Sequence, residues 1–169
     1  MIKSLFEILP IYEFEEKMEV SEWVKENQAL GLIGEKIVKK YLEEKYDAIV
    51  TKMDDKVGYD FWVEMGNSNF AVEVKITETN RDVFFLTITE LLKAYKLGEL
   101  YNIYRVVKKD NTYKIYIINN PIDILDIDVE ILKHGYENAL VKIVSSDFKV
   151  ILKDSFIESL PCVEISKIS

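Results

Sequence analysis

The sequence contains a single cysteine, Cys162, a single histidine, His134, and three prolines. One cysteine excludes an internal disulfide, and Cys162 reads as a small buried residue. One histidine and one cysteine leave neither a zinc site nor a Cys/His nucleophile pair. His134 precedes Gly135 at an apparent turn and reads as a turn or cap residue. No apolar run approaches the ~18 residues that a membrane-spanning helix needs. The N-terminus carries neither an apolar signal core nor a small-residue cleavage pattern. A cytoplasmic protein with no membrane association is therefore expected. A basic excess is also missing. The 22 Lys and Arg stand against 30 Asp and Glu, for a net charge of -8, where a nucleic-acid binder usually shows a basic footprint. The deficit is uneven: residues 1–30 carry -4, residues 31–110 carry -1 and residues 111–169 carry -3. The middle of the chain is nearly neutral, and unassisted DNA binding is expected to be weak.

What is present is a core. At 169 residues and 49% hydrophobic content, the chain is long enough for one domain. Residues 2–9 read as a short helix stopped by Pro10, and residues 11–20 as an acidic, irregular stretch. Ser21 suits the N-cap of a helix over 22–45. Within it Leu30, Ile33, Ile37, Val38, Tyr41 and Leu42 recur at three-four spacing. Gly31 and Gly34 each cost about 1 kcal/mol relative to Ala inside a helix. They imply close approach of another backbone or, at Gly31, a break between two helices. Asp47–Lys52 reads as a strand and Met53–Val57 as a polar loop. Thr87-Ile88-Thr89-Glu90 is a capping box opening a helix to Leu97, with Gly98 just past its end. Leu100–Val107 and Tyr113–Ile118 alternate as strands, while residues 121–134 carry no clear period. Ala139–Val144 and Phe148–Leu152 read as a final hairpin.

The stretch GYDFWVEMGNSNFAVEVK, residues 58–75, is the informative one. It reads as two strands around a Met65–Ser68 loop. Alternation puts Asp60, Trp62 and Glu64 on one face of the first strand, and Ala71, Glu73, Lys75 and Thr77 on one face of the second. Closing the hairpin sets Glu64 opposite Asn69, Trp62 opposite Ala71 and Asp60 opposite Glu73. Two opposed carboxylates repel unless a cation lies between them. Lys75 is one candidate, and a divalent ion is another, since Mg2+ is held by one or two carboxylates plus waters. The acid-x-Lys tripeptide alone carries little weight. It recurs at Glu15-Lys17, Glu43-Lys45, Asp54-Lys56 and Asp147-Lys149. Only Glu73-Val74-Lys75 lies in an apolar strand whose neighbour supplies an opposing Asp. A solvated, charged sheet face remains the alternative.

A helix with an acid, a hairpin carrying Asp and then Glu-x-Lys, a helix and a further strand resemble the PD-(D/E)XK nuclease-like superfamily. GLIGEKIVKKYLEEKYDAIV, VGYDFWV, FAVEVKITE and FFLTITELLKAYKLGELYNIYRV, across about residues 31–107, resemble the NO VEIN C-terminal domain family within it. The resemblance implies a restriction-endonuclease-like α/β core, a mixed β-sheet flanked by helices in the order α-β-β-β-α-β-β, with a short C-terminal β-hairpin extension. It divides the chain into an extension over 1–30, the core over 31–119 and a C-terminal extension over 120–169. Asp60, Glu73 and Glu35 would be ligands of Mg2+, for which Mn2+ can substitute. Lys75 would activate water and stabilise charge on the phosphoryl group, completing a catalytic set of Asp60, Glu73, Lys75 and Glu35. Glu35 also reads as an ordinary exposed helical acid. Thr77, Tyr101 and Arg105 are candidate substrate contacts, with plain β-packing as their alternative. Glu90 is a capping-box residue first and a site residue second, and Trp62 is expected to pack beside the site. Tyr59 stands where the superfamily motif has Pro, which removes no ligand. The implied activity is metal-dependent DNA cleavage in a restriction, defence or repair system, with recruitment of DNA through a partner protein and a homodimer as the assembly to be tested. Two alternatives stand beside it: a non-catalytic module binding DNA or a protein, and a Holliday-junction-resolvase-like dimer.

Overall fold

The computed structural model describes residues 22–79, 81–129, 136–137, 142–143 and 147–166. The readings over residues 2–20, the Ser21 cap and His134 lie outside the described residues. Helix α1 spans Glu22–Tyr46 without a break at Gly31. Strands β1 (Ile49–Lys52), β2 (Phe61–Met65) and β3 (Ser68–Thr77) follow, then β4 (Val83–Thr87) and helix α2 (Ile88–Leu97). A 3-10 turn over Gly98–Leu100 leads to β5 (Tyr101–Lys109) and β6 (Thr112–Asn119). The rest is α3 (Pro121–Ile124), β7 (Tyr136–Glu137), β8 (Lys142–Ile143), β9 (Asp147–Ile151), α4 (Asp154–Ser159) and β10 (Cys162–Ser166).

Six strands form one mixed sheet in the order β1-β2-β3-β5-β6-β10. β3 and β5 are parallel and every other pair is antiparallel. A parallel pair cannot be joined by a tight turn and needs a crossover, which β4 and α2 supply. The β2–β3 register is the one alternation predicts, with Trp62 opposite Ala71 and Glu64 opposite Asn69. The turn is tighter than expected, because Met65 and Ser68 pair and leave only Gly66 and Asn67 to close it. A positive φ of 59° at Gly66 permits this.

Each sheet face carries its own core. On one face Ile37, Val38, Tyr41 and Leu42 of α1 cover Phe61, Val63, Val72, Tyr104, Val106 and Ile115. The apolar stripe seats only in the C-terminal half of α1, since Leu32 and Ile33 remain exposed. Gly34 marks where the helix comes closest to β3. A Cβ there would lie 2.9 Å from Ile76 Cβ, whereas one at Gly31 would meet nothing within 4 Å. Gly34→Ala is therefore expected to cost about 1 kcal/mol, because overpacking of about 1–3 kcal/mol outweighs the gain in helix propensity. Gly31→Ala should stabilise by up to about 1 kcal/mol. Urea denaturation reads both, and shifts of the same sign would refute the close approach.

The opposite face is covered by α2, β4 and the C-terminal segments, with Phe84, Leu86, Leu91, Ala94, Tyr101, Ile103, Ile118 and Ile157 packed together. Two strands here escaped the sequence reading, β4 and β10. The reading of the C-terminal region also changes in its pairing. β9 pairs antiparallel with β4, Leu86 opposite Phe148, while most of Ala139–Val144, its expected partner, lies outside the described residues. The short C-terminal hairpin is instead β7 with β8, Tyr136 opposite Ile143. Cys162 is exposed rather than buried, because it begins β10 at the edge of the sheet.

Candidate active site

The site forms where the loop before β2 meets β3 and the first turn of α2. Asp60 directly precedes β2. Its backbone N–H donates to Val72 O at 3.0 Å, and its Oδ2 accepts from Val74 N at 2.7 Å. This carboxylate is thus fixed against the strand that carries Glu73 and Lys75. Gly58 brings the loop in. Its φ is +90°, and a Cβ on it would lie 2.9 Å from the Thr89 carbonyl oxygen of α2, so a side chain is excluded both by conformation and by space. The Tyr101 hydroxyl donates to Gly58 O at 2.9 Å from inside the core.

Asp60, Glu73 and Glu90 line one polar cleft of about 200 Å³ with Met53, Asp55, Gly58 and Tyr59. Glu73 is only 5% exposed. Lys75 Nζ lies 2.7 Å from Glu73 Oε1 and 2.8 Å from Glu90 Oε2. Glu90 reaches it because the capping box forms as the sequence predicts. Thr87 Oγ1 accepts from Glu90 N, and Glu90 Oε2 accepts from Thr87 N at 3.0 Å. The same carboxylate oxygen therefore caps α2 and holds Lys75. The cap and site roles weighed separately for Glu90 coincide in one side chain.

Glu35 reaches this group from the other side of the sheet. It does so through a residue that sequence reasoning missed. Lys52 Nζ lies 2.8 Å from Glu35 Oε2 and 3.0 Å from Asp60 Oδ1. Glu35 is thus joined to Asp60 by an ammonium and does not stand beside Asp60 and Glu73 as a third free ligand. Among the described residues no group of three or more His, Cys, Asp or Glu side chains has metal-holding geometry. A Lys directly before an irregular polar loop gave no signal in the sequence, since its partners are set by where that loop turns.

Of the candidate substrate contacts, Tyr101 and Arg105 take the packing alternative. Tyr101 is 0% exposed and Arg105 3%. Burial first, then the nearby acids Glu73, Glu90 and Asp60, raise the Tyr101 phenol and keep it a neutral donor to Gly58. Arg105 donates to the backbone carbonyls of Arg81 and Val83. Both side chains brace the loops that frame the site. Thr77 Oγ1 accepts from Thr79 N at 3.2 Å in the turn after β3. Trp62 packs beside the cleft, its ring 6.2 Å from that of Tyr59.

Burial raises the Glu73 carboxyl well above the usual carboxylate range. Lys75 opposes that shift, and the charges of Asp60 and Glu90 add to it. Burial pulls the Lys75 ammonium down, but Glu73 and Glu90 together outweigh it and hold it above an ordinary lysine. A carboxyl raised in the folded state binds a proton that the unfolded chain has already released. Stability is therefore lost as pH rises from the ordinary carboxyl value through the raised one. Glu73→Gln should accordingly melt higher than the wild type at neutral pH without divalent ions, by about 2–4 °C for each kcal/mol relieved. The difference should vanish below about pH 4, where the unfolded carboxyl is also protonated. Melting curves from pH 4 to 8 measure this, and a Glu73→Gln protein that melts lower throughout would refute the reading.

The bonded groups are four carboxylates, of Glu35, Asp60, Glu73 and Glu90, and two ammoniums, of Lys52 and Lys75. With every group charged the cluster is two negative charges in excess, and every anionic donor is a hard oxygen. Such a donor set fits Mg2+ or Mn2+, which take carboxylates and complete their shells with water.

A mixed sheet with one central parallel pair, helices on both faces and an acid-and-lysine cleft beside that pair define a mixed α/β domain. Residues 33–118 match the family described as Protein NO VEIN, C-terminal. The chain belongs to that family. No curated protein matches it. Among solved structures it is similar to Hjc, a Holliday junction resolvase from Archaeoglobus fulgidus, at 13% identity and a TM-score of 0.43, over 76% of this chain and 89% of that one. No described helix is long and apolar enough to cross a membrane.

Proposed function

We propose that the chain is a divalent-metal-dependent nuclease that hydrolyses phosphodiester bonds in DNA. The observation that carries this reading is the convergence of Asp60, Glu73 and Glu90 on one cleft beside a positioned lysine. With every group ionised the cluster is two negative charges in excess, and the raised Glu73 carboxyl reflects part of that strain without an ion; a divalent cation would balance the ionised cluster. Asp60 and Glu73 would hold that ion. When bound, it supplies Lewis-acid polarisation of the phosphate and a more acidic water.

The chain's own residues contribute the rest. Lys75 uses two of its three N–H bonds on Glu73 and Glu90, which leaves one for the attacking water or a phosphate oxygen. Glu90 fixes the Lys75 rotamer from a capped helix, so no reorganisation is needed as charge develops. Glu73 is buried, and Gly58 and Tyr59 line the cleft beside it, with Gly58 held by the Tyr101 hydroxyl. The acidic surface gives weak purchase on DNA, consistent with recruitment through a partner protein. One cleft per chain favours two copies acting on a duplex.

A second reading has an observation behind it. Lys52 and Lys75 already bond to all four acids, and a non-catalytic module that keeps the fold to bind DNA or a protein partner would need no more. Incubation with Mg2+ or Mn2+ and single-stranded, duplex, flapped and four-way-junction DNA separates the readings. Cleavage by the wild type and its loss in Lys75→Ala support the nuclease. Absence of cleavage on every form supports the module.

A further inference from the structure

Lys52 is a side chain for which the nuclease reading has no use, yet it is bonded directly to Asp60 of the cleft. Its ammonium lies between two carboxylates, 2.8 Å from Glu35 Oε2 and 3.0 Å from Asp60 Oδ1. Glu35 projects from α1, which covers one face of the sheet, while Asp60 opens onto the cleft on the other. The two acids are held together only where the chain turns into β2. The Lys52 ammonium also stands over the ring of the buried Phe61, Nζ 5.2 Å from its centroid, so a cation–π contact adds to the two ion pairs. The side chain is 43% exposed, and an ion pair this open contributes only a few tenths of a kcal/mol to about 1 kcal/mol of stability. Stability alone gives little reason to place a lysine between these two acids.

We propose that Lys52 is the built-in second cation of the site. It occupies the position between Glu35 and Asp60 and so restricts the cleft to one divalent ion, held by Asp60 and Glu73. The inference rests on the nuclease reading of the cleft. On this reading Asp60 serves two cations: its Oδ1 holds the Lys52 ammonium on the Glu35 side, and with Glu73 it would hold the divalent ion in the cleft. Two divalent ions there would face each other across one carboxylate. A univalent ammonium tethered to β1 supplies positive charge on the Glu35 side with no dissociation. It also keeps Glu35 neutralised when the Glu73 side is empty. Removing the ammonium raises the excess from two negative charges to three and exposes two hard-oxygen donors to each other, which is the setting for a second ion.

The test counts ions on the full chain and needs no turnover. Bound Mn2+ is measured from the loss of the free-ion electron paramagnetic resonance signal at increasing Mn2+. The variants are Lys52→Met, Lys52→Arg and the double variant Lys52→Met with Glu35→Gln. Met keeps an unbranched side chain at this position, and thermal melting verifies that the fold is retained. The expected result is one Mn2+ per chain for the wild type and for Lys52→Arg, two for Lys52→Met, and a return to one in the double variant. Two ions in the wild type, or one ion still in a folded Lys52→Met, would overturn the role of Lys52 while leaving the nuclease reading intact. Failure of every protein to bind Mn2+ would overturn both.

Discussion

Lys75→Ala is expected to lower the rate of DNA cleavage by about 10²–10³-fold, the usual loss when one preorganised donor to developing charge is removed. The lysine is 18% exposed at its side chain and bonded to two acids, Glu73 and Glu90, so its ammonium is held in place before substrate arrives. Its removal does not take away a ligand oxygen. It frees Glu73 Oε1, and a divalent ion should bind Lys75→Ala at least as well as the wild type. The rise in melting temperature with Mn2+ should therefore survive, growing with the logarithm of the ion concentration above Kd. Glu73→Gln should lose most of that rise and the cleavage together. This split between the two variants is the diagnostic result. Equal Mn2+ shifts in wild type and Glu73→Gln would show that the ion acts elsewhere and that the cleft is a charged sheet face. Without an ion, Lys75→Ala leaves a buried carboxyl with less compensation. Burial then dominates, and Glu73 takes a proton more readily at neutral pH.

Arg105→Met should destabilise the protein by about 2–4 kcal/mol without touching the cleft directly. The guanidinium is buried and donates to the carbonyls of Arg81, at 3.3 Å, and Val83, at 2.5 Å. It also lies 5.8 Å from the centroid of the Phe84 ring. Burial pulls it down to about 10, with Asp82 opposing that shift, so it remains charged at neutral pH. Buried carbonyls stripped of a charged donor cost about 1–3 kcal/mol each, and Met fills the volume without restoring the bonds. At about 2–4 °C per kcal/mol for a chain of this size, the melting temperature should fall by roughly 4–16 °C. The carbonyls belong to the entry of β4, which runs directly into the Thr87 cap and Glu90. Cleavage should therefore fall at temperatures where the crossover loosens. If Arg105 instead contacted DNA, the variant would keep its stability and lose affinity. An unfolding free energy from urea denaturation within about 0.5 kcal/mol of wild type, the range of an ordinary surface substitution, would remove the bracing role.

The local parts of the site were legible in the sequence. Alternation along residues 58–75 determined that Asp60, Glu73 and Lys75 share a face, because a side-chain period of two leaves no freedom once the turn is short. The spacing of Thr87 and Glu90 determined the capping box, because that bond is made within four residues. The two glycines of α1 announced a close approach, because a helix tolerates glycine only at a cost, but only Gly34 makes one; a Cβ at Gly31 would meet nothing within 4 Å. Each signal is carried by neighbours in the chain. What only the tertiary structure decided involves partners far apart. The capped Glu90 lands on Lys75, fifteen residues away. Lys52 slips between Glu35 and Asp60. Tyr101 and Arg105 were read correctly as residues on one face of a strand, but alternation does not say what covers that face. α2, β4 and the C-terminal segments cover it, turning two candidate DNA contacts into buried braces. The same reason governs β9, which pairs with the distant β4, and Cys162, which an edge position left exposed. A strand's pattern sets which side chains point together. Which distant surface they meet is set by the summed burial of the whole chain, and no short window of sequence contains that sum.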